Sequence, residues 1–321
     1  MDTLATSPVE ALAARLQAGE PAALARAITV VENARPGADE LLALLRSEAR
    51  GALSVGITGP PGAGKSTLIS ALVAELRKGD RRVAVLAVDP SSPLTGGAIL
   101  GDRTRMGEHT ADPDVFIRSI SSRGHLGGLA AAIYDIVDLV DAAAWDVVIV
   151  ETVGAGQSET EIASIADVRV VVLAPGLGDD VQAIKAGILE IADVLVVNKA
   201  DRDDAERTAR QLEGMLDLRA DDAVPVEVLL TTATERTGVD ELVKIIDGHD
   251  RVNDPEHRRR RRAERLRGAI AANAGDMIRQ AVLNDSGQML EAEIAAVLAG
   301  RKSIRAALPA AIRAVLGAGA T

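Results

Sequence analysis

The apolar positions of this chain fall into three successive patterns. Up to residue 50 they recur at helical spacing in three stretches, Val9 to Gln17, Pro21 to Glu32 and Ala38 to Ala49, interrupted by Gly19-Glu20-Pro21 and Pro36-Gly37. From Leu53 onward, short β-branched runs alternate with helical stretches. The runs are Leu53 to Thr58, Val83 to Val88, Val115 to Arg118, Val147 to Val150, Val168 to Leu173, Val194 to Val197 and Val226 to Leu230. Few polar residues interrupt them, as expected for strands buried on both faces. The alternation with helices predicts a mostly parallel seven-stranded sheet in a three-layer α/β sandwich. After His249 the strand pattern stops, and the remainder, rich in Ala, Arg and Leu with a break at Asn284-Asp285-Ser286-Gly287, reads as helical. The expected organisation is an N-terminal helical extension over 1–50, an α/β domain over 51–250 and a C-terminal helical arm over 251–321.

The turn after the first predicted strand carries chemistry. Residues 59 to 67 read GPPGAGKST and match the phosphate-loop spacing G-x-x-x-x-G-K-[ST] at every fixed position. Gly59, Pro60, Pro61, Gly62, Ala63 and Gly64 form a loop whose backbone N–H groups can turn inward around phosphates. Lys65 can reach the β and γ oxygens, and the Ser66 hydroxyl is placed to ligate Mg²⁺. Thr67 opens a stretch with helical spacing at Leu68, Leu72 and Leu76, so the order is strand, loop, helix, as a nucleoside triphosphate site of this P-loop type requires.

Composition narrows the class. With no cysteine, neither a disulfide framework nor a thiolate metal site is available. The opening MDTLATSPVE lacks the basic end and apolar core of a secretory signal, and no apolar run approaches the ~20 residues of a membrane span, so a soluble cytoplasmic protein is expected. The net charge of −11 is uneven: residues 255 to 321 hold twelve Lys plus Arg against six Asp plus Glu, net +6, leaving −17 for the rest. Five arginines, Arg258 to Arg262, sit in that positive tail, but one Phe, one Tyr and one Trp leave few rings for stacking bases, and no nucleic-acid partner is expected.

Three further segments point to guanine nucleotides. Asn198-Lys199-Ala200-Asp201 follows a predicted strand and fits the N-K-x-D signature; a carboxylate at Asp201 can accept from the ring N–H and 2-amine of guanine, donors that adenine lacks there. The bland alternative makes Asp201 the N-cap of the next helix. Ala233, in Thr231-Thr232-Ala233, stands where a short loop commonly meets the base. Glu151-Thr152-Val153-Gly154 occupies the place of D-x-x-G, where the acid can hold the Mg²⁺ hydration shell and the Gly154 N–H can meet the γ-phosphate. The water-orienting glutamine of small GTPases directly follows that glycine; here Gln157 is displaced by two residues, which leaves the water to Gln157 or to a switch carboxylate. The long segment from Asp89 through Gly101-Asp102-Arg103-Thr104-Arg105 has the length of a functional loop, with Asp89 and Asp102 as candidate metal-shell carboxylates and Arg105 as a candidate charge stabiliser.

Taken together, GPPGAGKST, AVDPSSPLTGGAILGDRTRM, ETVGAGQSE, PGLGDDVQAIKAGI and NKAD resemble the MeaB or ArgK type of GTPase associated with methylmalonyl-CoA mutase, over essentially the whole chain. The resemblance implies a GTP-binding and GTP-hydrolysing chaperone that gates adenosylcobalamin loading of the mutase and protects it, with cobalamin adenosyltransferase as a further partner. It implies a homodimer built through the C-terminal helices. By motif position, Lys65 and Ser66 bind phosphate and Mg²⁺, Asp89, Asp102 and Glu151 line the metal and water shell, and Asp201 reads the base. Arg105 belongs to the first switch, and Asp179 and Lys185 to an additional switch through which the mutase stimulates hydrolysis. Two alternatives are a P-loop kinase, as the family's old link to arginine transport suggests, and a metal-insertion GTPase. The second lacks cysteine ligands and has only the dispersed His109, His125, His249 and His257.

Overall fold

A computed structural model describes residues 7–48, 50–89, 107–121, 132–152, 158–176, 186–218, 225–249, 254–284 and 288–317 of the 321. Seven strands, β1 Leu53–Thr58, β2 Val83–Asp89, β3 Val115–Ser121, β4 Val147–Thr152, β5 Val168–Leu173, β6 Val194–Asn198 and β7 Glu227–Thr231, form one sheet in the order β3-β2-β4-β1-β5-β6-β7. Every pairing is parallel, so all seven strands end on the same edge. This is the P-loop α/β fold that the sequence pattern predicts. β3 runs three residues beyond its expected end, and β7 starts one residue later than expected.

Three helices precede the sheet: α1 Pro8–Gln17, α2 Pro21–Glu32 and α3 Ala38–Leu45, the last continuing as a 3₁₀ turn over Arg46–Glu48. Ser7 and Glu10 close the start of α1 with a reciprocal capping box. Between and after the strands lie α4 Lys65–Arg77, α5 Ala132–Ala142, α6 Ser158–Ile165, α7 Ala186–Ile191, α8 Ala205–Leu216 and α9 Val239–Gly248. One face of the sheet packs Val55, Ile57, Val85, Ile149, Val170 and Val196 against Leu68, Leu72 and Leu76 of α4 and Leu242 and Ile246 of α9. On the opposite face Leu173, Leu195 and Val197 meet Leu212 and Ala205 of α8. The period of two along each strand thus sends alternate residues to two separate cores. Gly56 faces α6 so closely that a Cβ there would lie 2.7 Å from Ile162, which lets the helix approach the central strand.

The edge where the strands begin is closed by aspartates. β3, β4, β5 and β6 are each preceded directly by Asp: Asp114, Asp146, Asp167 and Asp193. Asp167 accepts from the N–H and hydroxyl of Ser54 at 2.9 and 2.6 Å, Asp193 from the N–H of Arg169 at 2.9 Å, and Asp146 from the N–H of Arg82 at 2.7 Å. Asp146, Asp167 and Asp193 therefore each satisfy an amide at the start of the neighbouring strand that no ladder partner would reach, while Asp114 accepts from the side chains of Arg77 and Arg82. Asp141 does the same for the entry to β1, accepting from Arg50, Gly51 and Ala52 at 2.7–2.9 Å. Arg82 lies over the Trp145 ring at 4.4 Å on the same edge.

By its internal contacts the chain divides into two compact units, Met1–Arg265 and Leu266–Thr321. A 30-residue helix, α10 Pro255–Asn284, begins in the first unit; α11 Gln288–Leu298 and α12 Ile304–Gly317 pack on each other in the second. Among the described residues, seven of the ten large hydrophobic side chains that stand exposed belong to the second unit, including Ile270, Met277, Leu298 and Ile304. No helix among the described residues is long and apolar enough to cross a membrane.

The buried pair of Asp193 with Arg169, whose Nε and Nη2 donate at 2.7 and 2.6 Å, supports a prediction. Asp193→Ala removes the acceptor of a side chain and of a strand amide at once and should cost about 3–5 kcal/mol, the range for breaking a buried pair. Asp193→Asn, which keeps one acceptor oxygen, should cost less. Urea midpoints of the two variants check the order.

Candidate functional site

The loops that leave the C-terminal edge of the sheet converge. Gly59, at the exit of β1, has φ +141°, and a Cβ on it would lie 2.0 Å from the carbonyl oxygen of Val172 in β5. No side chain fits there, so the first glycine of the loop is required by the sheet itself. Gly62 and Gly64 also take positive φ, and Gly64 ends the loop at the first turn of α4. Ala63 is buried. The Lys65 ammonium is buried, donating to the carbonyls of Gly59 and Pro60 at 2.8 and 3.2 Å, and thus lies folded over its own loop. Its neighbour Ser66 donates from Oγ to Oε1 of Glu151 at 2.9 Å, and both side chains are buried. Glu151 sits near the end of β4, beside β1, where Thr152 Oγ1 donates to Thr58 Oγ1 at 2.8 Å. A hydroxyl and a carboxylate oxygen held side by side are hard oxygen donors of the kind Mg²⁺ takes alongside phosphate and water. Among the described residues no group of three His, Cys, Asp or Glu side chains is placed to hold a metal on its own.

Asn198 ties the loops together. Its Nδ2 donates to the carbonyl of Ala63 at 3.0 Å, while its Oδ1 accepts from Thr231 Oγ1 at 3.2 Å and from the N–H of Ala233 at 3.1 Å. One buried carboxamide thereby joins the phosphate loop, the end of β6 and the loop after β7. Lys199, at φ +61°, lays its ammonium on the Gly62 carbonyl at 2.7 Å, and the N–H of Ala200 donates to Thr231. A residue other than glycine in the left-handed region is a local cost that the surrounding bonds hold in place. Asp201 is exposed at the rim. It does not cap a helix: α8 begins at Ala205 with Asp204 in the N-cap place, so the capping alternative fails because a further turn intervenes.

Asp89 is the last residue of β2, on the same C-terminal edge. Asp102, Arg105, Gly154, Gln157, Asp179 and Lys185 lie outside the described residues. The structure adds residues that motif reading passed over. A cavity of about 380 Å³ opens beside the loop, bounded by Thr67 and Ser70 of α4, by Glu108, and by Ala233, Thr234 and Arg236. Ser70 Oγ donates to Glu108 Oε1 at 2.5 Å, Arg236 Nη2 donates to Glu108 Oε2 at 3.3 Å, and His109 Nε2 lies 3.0 Å from Ser70 Oγ. The Ser70 hydroxyl, aided by His109 and Arg236, holds the Glu108 carboxyl below its ordinary range. Ser70 follows Ser66 by one helical turn, which is the only trace of this cluster in the sequence.

A family model described as methylmalonyl Co-A mutase-associated GTPase MeaB matches residues 24–286. The chain belongs to the MeaB family. A putative GTPase of Pyrococcus abyssi is 47% identical over 264 residues, which cover 80% of this chain and 82% of that protein. GTPase ArgK of Escherichia coli K12 is 44% identical over 237 residues, 71% of this chain and 72% of its own. The solved structure of a LAO/AO transport system kinase superimposes with a TM-score of 0.68 at 28% identity, covering 98% of this chain and 100% of that one. MeaB membership and the P-loop fold agree on a guanine-nucleotide protein of the GTPase class.

The Asn198 knot yields a test of the site's architecture. Asn198→Ala strands the Ala233 amide and the Ala63 carbonyl and should lower stability by about 2–3 kcal/mol. Asn198→Asp keeps the acceptor but turns a carboxylate toward the carbonyls of Ala63 and Gly64, and should be no milder than Ala; chemical denaturation of both variants decides.

Proposed function

We propose that this MeaB-family chain is a GTP-hydrolysing switch that gates adenosylcobalamin loading of methylmalonyl-CoA mutase and protects the mutase. The observation that carries the guanine reading is the Asn198 carboxamide, which fastens the phosphate loop to the loop bearing Ala233 and leaves Asp201 at the rim three residues on. With the triphosphate along residues 59–66, Asp201 accepts from the N–H and amine of guanine, while the Ala233 amide stays with Asn198 and its side chain serves as a wall. Lys65 swings its ammonium from the loop carbonyls to the β and γ phosphate oxygens. There it offsets charge that grows on the bridging oxygen as the γ-phosphoryl leaves for water. Ser66, Glu151, Asp89 and Asp102 would hold Mg²⁺, which supplies further neutralisation of phosphate charge. Gln157 or a switch carboxylate aligns the attacking water, Gly154 meets the γ-phosphate, and Arg105 steadies charge in the first switch.

Catalysis of this kind is positioning plus electrostatics, so a chain whose switches are ordered by a partner turns over slowly alone. The mutase is the partner of choice, with Asp179 and Lys185 in the segment it acts on and cobalamin adenosyltransferase as the source of cofactor. The family description supports the mutase association. A homodimer through the C-terminal arm is supported by the exposed apolar side chains of the second unit. The compartment proposed is the cytoplasm.

Two outcomes are expected. GTP turnover should rise at least about tenfold on adding purified methylmalonyl-CoA mutase, well short of the ~10⁵-fold that an arginine finger can provide. Equal rates with and without the mutase would remove it as the regulator. Asp201→Asn should weaken GTP binding by about two orders of magnitude while favouring xanthosine triphosphate, whose 2-oxo group can accept from the new amide. Calorimetry with both nucleotides reads the exchange.

A further inference from the structure

The cavity between α4, Glu108 and the loop after β7 has no role in the account above, yet two of its walls belong to the nucleotide site. Thr67 directly follows the Mg²⁺-binding Ser66, and Ala233 is bonded to Asn198. A triphosphate cradled by residues 59–66 and a base read by Asp201 bring the nucleoside past this opening. Nucleobases are held in proteins largely by stacking on flat groups, aromatic rings or arginine guanidinium planes. This chain has one Phe, one Tyr and one Trp, and all three are committed elsewhere. Phe116 packs on Trp145 at 5.9 Å, under Arg82, and the buried Tyr134 shares a hydrogen bond with Ser164. None of these three rings is left for the base. Lys199 offers an aliphatic stem on the side of the phosphate loop, its ammonium fixed to Gly62.

The planar group on the cavity is Arg236. Its backbone stands at φ +59°, in a turn braced by the hydrogen bond from its own N–H to the Ala233 carbonyl and by bonds between Thr232 and Thr237. Its guanidinium is held by Glu108 at 3.3 Å, and Glu108 is held by Ser70 of α4. The Arg236 side chain remains 49% exposed, and Glu108 fixes one edge of its guanidinium. We propose that Arg236 covers the guanine face opposite Lys199 as a stacking cation, with Glu108 as the positioning residue that keeps it there. The inference rests on the guanine-nucleotide reading above and adds the group that grips the nucleoside.

Calorimetry with GDP and, separately, with pyrophosphate tests it, both in the presence of Mg²⁺ and with the full chain. Arg236→Ala should weaken GDP about tenfold, the scale of a desolvated cation–π contact. Arg236→Tyr, which restores a flat group, should stay within about threefold of the parent. Pyrophosphate, which lacks a nucleoside, should bind both variants as it binds the parent. Glu108→Ala should weaken GDP in the same direction, and the double variant should be no weaker than Arg236→Ala alone, as for residues acting through one contact. GDP affinity unchanged in Arg236→Ala, or equal losses in the Ala and Tyr variants, overturns the proposal. So does a parallel loss of pyrophosphate, which would mark a collapsed loop, or additive losses in the double variant. A parent protein that takes up pyrophosphate but not GDP would overturn the guanine reading together with it.

Discussion

The Asn198 carboxamide is the interaction on which the geometry of the site depends. A parallel sheet brings the ends of β1, β4, β6 and β7 to one edge, but it does not bind the loops that leave those ends to one another. Asn198 does so with one donor and one acceptor, each used inside the protein: Nδ2 on Ala63, Oδ1 on Thr231 and Ala233. Aspartate would have the shape without the donor, and leucine neither. Because the carboxamide is 2% exposed, each of these bonds forms away from water, where leaving a partner unmade is costly. The approach is so close that a Cβ on Gly64 would lie 2.4 Å from Nδ2, so the loop's second motif glycine is required by Asn198 as well as by any ligand.

The architecture was legible because its signals are local. An apolar β-branched run of four to six residues leaves little choice of element, and a glycine-rich loop between such a run and a helix names the chemistry of its edge. The boundaries that moved did so for tertiary reasons. β3 extends to Ser121 because it pairs with β2 up to Asp89 and because the Ser121 amide finds Glu32 of α2. Four Asp-Val pairs, at 114, 146, 167 and 193, open four strands and went unread, although at 146, 167 and 193 the carboxylate is a physical cap for the adjacent strand.

The unread part of the site is of another kind. Glu108 and Arg236 are 128 residues apart, and neither lies in a motif whose spacing carries meaning. An exposed arginine in a turn after a strand looks like solvated charge until the fold sets it across from a carboxylate. Asp201 shows the opposite case: its motif made the proposal, and the fold removed the competing one by starting α8 at Ala205.

The two edges of the sheet therefore divide the labour of charge. At the entry edge, Asp141, Asp146, Asp167 and Asp193 are consumed by strand amides, and Arg169 by Asp193, so these charges are spent on closing the fold. At the exit edge Lys65 donates to two loop carbonyls, Ser66 gives a hydroxyl to Glu151, and Lys199 meets a carbonyl. A fold with this much acid gains from such an arrangement, since polyanionic nucleotide must bind to a chain of net charge −11. The aspartates of the entry edge are occupied by backbone amides, at the opposite end of the strands from Lys65 and Lys199 on the phosphate loop.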